Sequence, residues 1–450
     1  MTILGHWRWR EALLCVAACL ALVCIPRVLY AANEETSLIP HLQQLIDNAS
    51  EGGTLVLPAG SYRGGVTIGK PLTVRAEGTV RIIAANSIEP AIRIDADHVR
   101  LQQVQLVQPF SSEAPALLVK GSKAVLDSIG IRTRSFGIML RDNGQNEIFN
   151  STIQREPDAS GEPADRRNGI DLFNSHDNRI YNNTISTMND GVYLESSHRN
   201  RVERNRIDGS RYGIHCMYTD GTIVRDNVGS LNVTGAMIMG VKDAEVTGNT
   251  FVKQSESVNS QGLLLFDVQT SRIEGNKAEG NRVGFYIEQS HRNRIANNDL
   301  VRNFVGVQLL ESDENEFTGN YFWNNVIESE ADESRSNRFA GNYWDAFRGI
   351  DPSGDGISDI SYAMNPFFQK LTSAIPAFQL FFQSPGMQFL ESMQTAGIEE
   401  WTVDPAPLMK PEAERLPVQD RPGQAGLLAS AVMLLLASIT IITYTGGKRR

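Results

Sequence analysis

Apolar and polar positions recur along the middle of the chain with a fixed period. Gly169, Gly191, Gly213 and Gly235 are 22 residues apart, and so are Gly262, Gly284 and Gly306. Five extra residues enter between Gly235 and Gly262, and ten between Gly137 and Gly169. Looser rungs precede near Ala91 and Ala116, and a degenerate one ends at Asn337–Asn342. With each glycine as position zero, +1 and +3 are apolar: Ile170/Leu172, Val192/Leu194, Ile214/Cys216, Ala236/Ile238, Leu263/Leu265, Phe285/Ile287 and Val307/Leu309. This is strand alternation. Position +11 is apolar again, from Ile180 to Phe339, and +14 is a column of Asn from Asn183 to Asn342. Asn tolerates left-handed turns, and its amide can bond to the Asn of a stacked neighbour.

Short strands, frequent turns and a constant period predict an all-β fold, a single-stranded parallel β-helix over residues 50–345 with ten to twelve coils. A right-handed solenoid is the expectation by analogy with other chains of this pattern. Residues 33–49, with Leu38, Leu42, Leu45 and Ile46, predict a capping helix that covers the first coil. Residues 346–403 read as a loop closing the solenoid and then a helical segment, with apolar stripes such as Phe367/Phe368 and Met387/Phe389/Leu390.

If +1 and +3 point inward, +2 and +4 point out. The +2 column is Asp171, Tyr193, His215, Met237, Leu264, Tyr286, Gln308; the +4 column is Phe173, Glu195, Met217, Met239, Phe266, Glu288, Leu310. Such an apolar outward face suggests a binding surface. His215 and Met217 on one coil, with Met237 and Met239 on the next, form a square of soft and borderline donors. Imidazole and thioether without carboxylate suit Cu(I) better than calcium, magnesium or zinc. The same residues also read as an apolar contact patch, since Met is common at adaptable interfaces. Cys216 has inward parity and reads as core. His176, His198 and His291 share position +7 and read as turn residues. Insertions Gln154–Asn168 and Val252–Gln261 enter beside this face as two lips. Asp171 and Glu195 are the one carboxylate pair there on which a glycan-active enzyme could rest. Asp351, Ser353, Asp355 and Asp359, with Gly356, resemble a calcium loop, although Tyr362 stands where a bidentate Glu is expected; a Gly/Asp turn is the alternative.

Composition narrows the classes. Of 450 residues, 41% are hydrophobic and 21% charged, which excludes a disordered chain, and the net charge of −10 argues against nucleic-acid binding. Residues 1–32 read as a signal peptide: a basic start, an apolar run from Ala12 to Ile25, and small Ala31 and Ala32. An uncleaved anchor and a lipoprotein box at Cys19 are the alternatives. Three of the four Cys lie in that segment, so a mature chain keeps Cys216 and no intrachain disulfide. Residues 404–424 read as a Pro-rich linker. Residues 425–445 are long enough to span a membrane, and the basic tail 446–450 places itself in the cytoplasm. The body is then periplasmic, held at the inner membrane by one C-terminal helix. A buried core helix is the alternative for that run.

Three stretches carry a family resemblance over most of residues 50–411: Arg-Tyr-Gly-Ile-His-Cys-Met-Tyr (211–218), Gly-Asn-Tyr-Trp (341–344) leading into Gly-Asp-Gly-Ile (354–357), and Ser384-Pro385 followed by Asp-Pro-Ala-Pro-Leu-Met (404–409). They resemble the NosD family, periplasmic maturation proteins of nitrous oxide reductase. The resemblance implies a non-catalytic copper-handling component that works with an inner-membrane ABC transporter, receives copper from a chaperone lipoprotein and serves the reductase as recipient. It places His215 and Met217 in the family's Tyr-Gly-Ile-His-x-Met segment and Met239 on the following coil; Met237 is carried less directly. The C-terminal membrane helix departs from the family pattern. A carbohydrate-binding or carbohydrate-modifying β-helix, and a docking scaffold without ligand, are the rival readings.

Overall fold

The computed structural model describes residues 41–156, 166–255, 257, 259–334, 336–364, 371, 374–381, 384–393 and 403–411. They form a right-handed parallel β-solenoid of about 13 turns. Each strand pairs in parallel with the equivalent strand of the next coil, as in Val192↔Ile214↔Ala236 and Ile180↔Val202↔Val224. One wall is a 12-stranded sheet running from Val66–Ile68 to Ile327–Asp332. The other two walls belong to a 24-stranded sheet.

The +1, +3 and +11 side chains fill the interior, with Ile170, Leu172, Val192, Leu194, Val202 and Val224 all fully buried. The zero-position glycines are required by close approach rather than by backbone angle. A Cβ on Gly169 would lie 2.6 Å from the carbonyl oxygen of Gly191, and one on Gly191 2.5 Å from that of Gly213. The first coils escape this rule and its period. Val66, Ile92, Leu117 and Ile138 are successive partners, so the steps there are 26, 25 and 21 residues. That irregularity hides turns from a search for a constant spacing.

The +14 asparagines form a buried ladder. Asn183 Nδ2 donates to Asn205 Oδ1 at 3.0 Å, Asn205 Nδ2 to Asn227 Oδ1 at 3.0 Å, and Asn227 Nδ2 to Asn249 Oδ1 at 2.9 Å. Each Nδ2 also donates to a main-chain carbonyl, as Asn205 does to Ile180 O, so the buried amides are satisfied. The left-handed turn residue is not the ladder Asn but the one before it: Asn182, Arg204, Asp226 and Gly248 have φ of 56°, 52°, 55° and 66°. Among the described residues, further asparagine runs not read from the sequence are Asn146–Asn178–Asn200, Asn293–Asn315–Asn337 and Asn281–Asn303–Asn325. His176, His198 and His291 are turn residues, each accepting a main-chain N–H of the next coil at Nδ1. His176 and His198 stack with centroids 5.2 Å apart.

A short helix, Leu42–Asn48, covers the first coil by burying Leu42 and Ile46, while Leu45 faces solvent. Gln43 fixes it, accepting from Thr67 N at 2.8 Å and donating to Thr67 O at 3.1 Å. At the other end, residues 403–411 are not linker. Val403–Asp404 pairs antiparallel with Tyr362–Ala363, and Leu408 N donates to Asn342 O at 2.9 Å. A 3-10 turn, Pro376–Phe381, and a helix, Pro385–Met393, account for part of the expected helical segment. The signal segment 1–32, Phe367/Phe368 and the span 425–445 lie outside the described residues. Among the described residues no helix is long and apolar enough to cross a membrane.

Candidate metal centre

The outward columns of the 12-stranded wall keep the register expected of them. Tyr193 pairs with His215 and His215 with Met237; Glu195 pairs with Met217 and Met217 with Met239. His215, Met217, Met237 and Met239 therefore occupy a two-by-two block on adjacent strands, about 4.8 Å apart along the solenoid. The three methionines are half-buried. His215, although on the outward side, is only 7% exposed.

Its burial has identifiable causes. The rings of Tyr193 and Tyr212 meet the imidazole edge-on, with centroids 5.0 and 4.9 Å away. Asp190 Oδ2 lies 3.0 Å from Nδ1. Arg211 grips the same carboxylate with two bonds, Nε to Oδ1 at 2.9 Å and Nη2 to Oδ2 at 2.8 Å. Burial would raise the Asp190 carboxyl, but the bonds from His215 and Arg211 outweigh it and hold the group below its ordinary value. Nε2 of His215 is buried without a hydrogen-bond partner.

Arg211 and Tyr212 open the Arg-Tyr-Gly-Ile-His-Cys-Met-Tyr stretch, but the sequence carries no sign that they act with Asp190. Asp190 and Tyr212 immediately precede a zero-position glycine. The available signal was polarity at that position, Asn168 and Asp190 on successive coils.

The other expected positions behave differently. Cys216 is fully buried in the core, and burial pushes its thiol up to about 12. Asp171 is buried; Arg141 Nη2 is 2.6 Å from its Oδ1, and Asn168 Nδ2 donates to its Oδ2 at 2.7 Å. Burial nevertheless raises its carboxyl above the ordinary value. Glu195 accepts the Tyr193 hydroxyl at 2.8 Å. Burial and the neighbouring Glu195 raise the Tyr193 phenol, so it stays protonated at neutral pH. Of the two insertions, 157–165 lie outside the described residues. Gln254 in the second takes an asparagine's place in a ladder, accepting from Asn232 Nδ2 at 3.0 Å.

The loop 351–359 is built as a turn. Asp351 Oδ1 accepts from Gly354 N at 2.7 Å, Asp355 N at 3.2 Å and the Ser353 hydroxyl at 3.1 Å, and Oδ2 from Gly356 N at 2.9 Å. Those bonds, Gly356's first, hold the carboxyl low. Asp355 Oδ1 accepts from Ile357 N at 2.9 Å, and Asp359 N donates to Ile350 O at 2.8 Å. Among the described residues no group of three or more His, Cys, Asp or Glu is placed to hold a metal ion. In the loop 351–359, Asp351 turns both carboxylate oxygens to main-chain donors of its own turn.

No match is found among the curated proteins. Among solved structures of similar fold are an epimerase module and two polysaccharide lyases. The A-module of the Azotobacter vinelandii mannuronan C-5 epimerase superposes with a TM-score of 0.55 at 13% identity, covering 67% of this chain and 93% of that one. A mannuronic-acid-specific family 6 polysaccharide lyase from human gut microbiota gives 0.50 at 13% identity, covering 80% and 96%. An alginate lyase in complex with G6 gives 0.51 at 13% identity, covering 67% and 84%. At such identity the likeness is one of fold. Residues 154–349, which include His215 and all three methionines of the block, match the model of the NosD family, "Periplasmic copper-binding protein (NosD)", the family that the sequence motifs resemble.

Proposed function

We propose that this chain is a non-catalytic, periplasmic copper-handling protein of a nitrous oxide reductase maturation system. It takes Cu(I) as cargo at His215, Met217, Met237 and Met239. The carrying observation is the buried, unpartnered Nε2 of His215, set in register with three half-exposed thioethers. A buried acceptor without a partner costs about 1–3 kcal/mol, which a ligand there would recover. One imidazole nitrogen and thioether sulfurs form a soft donor set suited to Cu(I). The description of the NosD family supports copper as the cargo.

In this reading a copper chaperone lipoprotein delivers the ion, the reductase receives it, and an inner-membrane ABC transporter is the docking partner. Residues 425–445 anchor the chain from the periplasmic side. The test is competition for Cu(I) against a chromogenic chelator. Met217→Ala/Met239→Ala and His215→Ala should each weaken binding at least about tenfold, a loss of about 1.4 kcal/mol. Unchanged affinity in both variants removes the assignment.

A second reading, oligosaccharide binding or modification, is favoured by one feature: Phe173, 43% exposed, lies one coil before the Tyr193–Glu195 pair. The bonds of Arg141 and Asn168 to Asp171 count against catalysis. Tight binding of a uronate oligomer with no Cu(I) affinity would favour this reading over copper.

A further inference from the structure

Deepening the copper reading, on which it rests, we infer that Asp190, clamped by Arg211, is a positioning residue that fixes His215 as the Nδ1–H tautomer and so makes Nε2 the metal-binding atom. Asp190 is completely buried and carries two partners, Arg211 and His215. An ionised carboxylate can only accept, so the 3.0 Å contact to His215 requires a proton on Nδ1. A neutral imidazole then has its lone pair at Nε2, the atom left buried and unpartnered. The clamp closes on itself. The Arg211 guanidinium also lies over the Tyr212 ring, 4.5 Å from its centroid, and that ring packs edge-on against His215. The imidazole is thus fixed in orientation as well as in tautomer before any ion arrives. Carboxylate partners play this part for metal-binding histidines generally, and losing one typically costs about 10–100-fold in affinity.

The test uses the full chain, 15N-labelled at its 7 histidines, with His215 identified by its loss in His215→Gln. Without copper, long-range 1H–15N spectra of the wild type should show the Nδ1–H pattern for His215. In Asp190→Asn the amide can either accept from Nδ1–H or donate to bare Nδ1. The tautomer bias should disappear, and Cu(I) affinity should fall by about 10–100-fold. Arg211→Gln, which keeps the carboxylate but frees it, should give a smaller loss, and it serves in place of Asp190→Asn if that variant does not fold. An Nε2–H pattern in the wild type overturns the inference. So does a folded Asp190→Asn, or Arg211→Gln where it stands in, with wild-type affinity. A wild type that shows the Nδ1–H pattern but binds no Cu(I) sinks the copper reading while supporting the tautomer assignment.

Discussion

Asp404 ends the asparagine ladder that Asn342 would otherwise leave open. Its Oδ2 accepts from Asn342 N and from Asn342 Nδ2, both at 3.0 Å, in the manner of the next coil's Asn. The same oxygen accepts Trp344 Nε1 at 3.1 Å, and Oδ1 accepts Ala406 N at 3.1 Å. The Asp-Pro-Ala-Pro motif is therefore a clasp on the last coil. Asp404→Ala strips buried donors of their acceptor, and at about 1–3 kcal/mol each the variant should lose several kcal/mol. Urea unfolding monitored by Trp fluorescence reads the loss; a midpoint within error of wild type would show that the clasp is idle.

A second acid near that end works against stability. Glu330, on the last strand of the 12-stranded wall, is buried, and burial pushes its carboxyl up to about 7 against the pull of Arg282. The folded-state value is above the unfolded one, so the favourable protonated form is fully available below about pH 4.5 and is lost as pH rises toward 7. Glu330→Gln should leave stability unchanged at pH 4.5 and raise it by on the order of 3 kcal/mol at pH 8. Thermal melts at the two pH values check the sign; equal shifts at both would contradict it.

Cys216 supplies a negative control within the copper motif. It lies between His215 and Met217 but points into the core, with its thiol pushed up to about 12 by burial. Little thiolate forms there at neutral pH, and the thiolate is the metal-binding species. Cys216→Ala should keep wild-type Cu(I) affinity, and a thiol reagent should label Cys216 only upon unfolding. Loss of Cu(I) affinity in a folded Cys216→Ala would place sulfur from the core in the site.

Strand period, inward and outward parity and the asparagine column were all legible in the sequence, because stacking repeats each side-chain environment every 22 residues from Gly169 to Gly235. The alignment of His215 with Met237 and of Met217 with Met239 followed from that repeat. The burial of His215 did not, because it arises from Tyr193, Tyr212 and Asp190 closing on one ring, and a parity argument records strand side but not side-chain reach. The clasp was equally hidden: Asp404 reaches Asn342 across 62 residues, a contact no periodicity encodes. In the acidic loop, too, residue spacing does not record the local hydrogen bonding. Its spacing resembles a calcium loop, yet Asp351 spends both oxygens on its own turn.

The most direct test of the central claim is X-ray absorption at the copper edge on the protein loaded with one equivalent of Cu(I). The account expects a Cu(I) edge with both sulfur scatterers and one imidazole nitrogen, the sulfur shell shrinking in Met239→Ala and the imidazole shell vanishing in His215→Ala. A first shell of nitrogen and oxygen alone, unchanged in both variants, would contradict it.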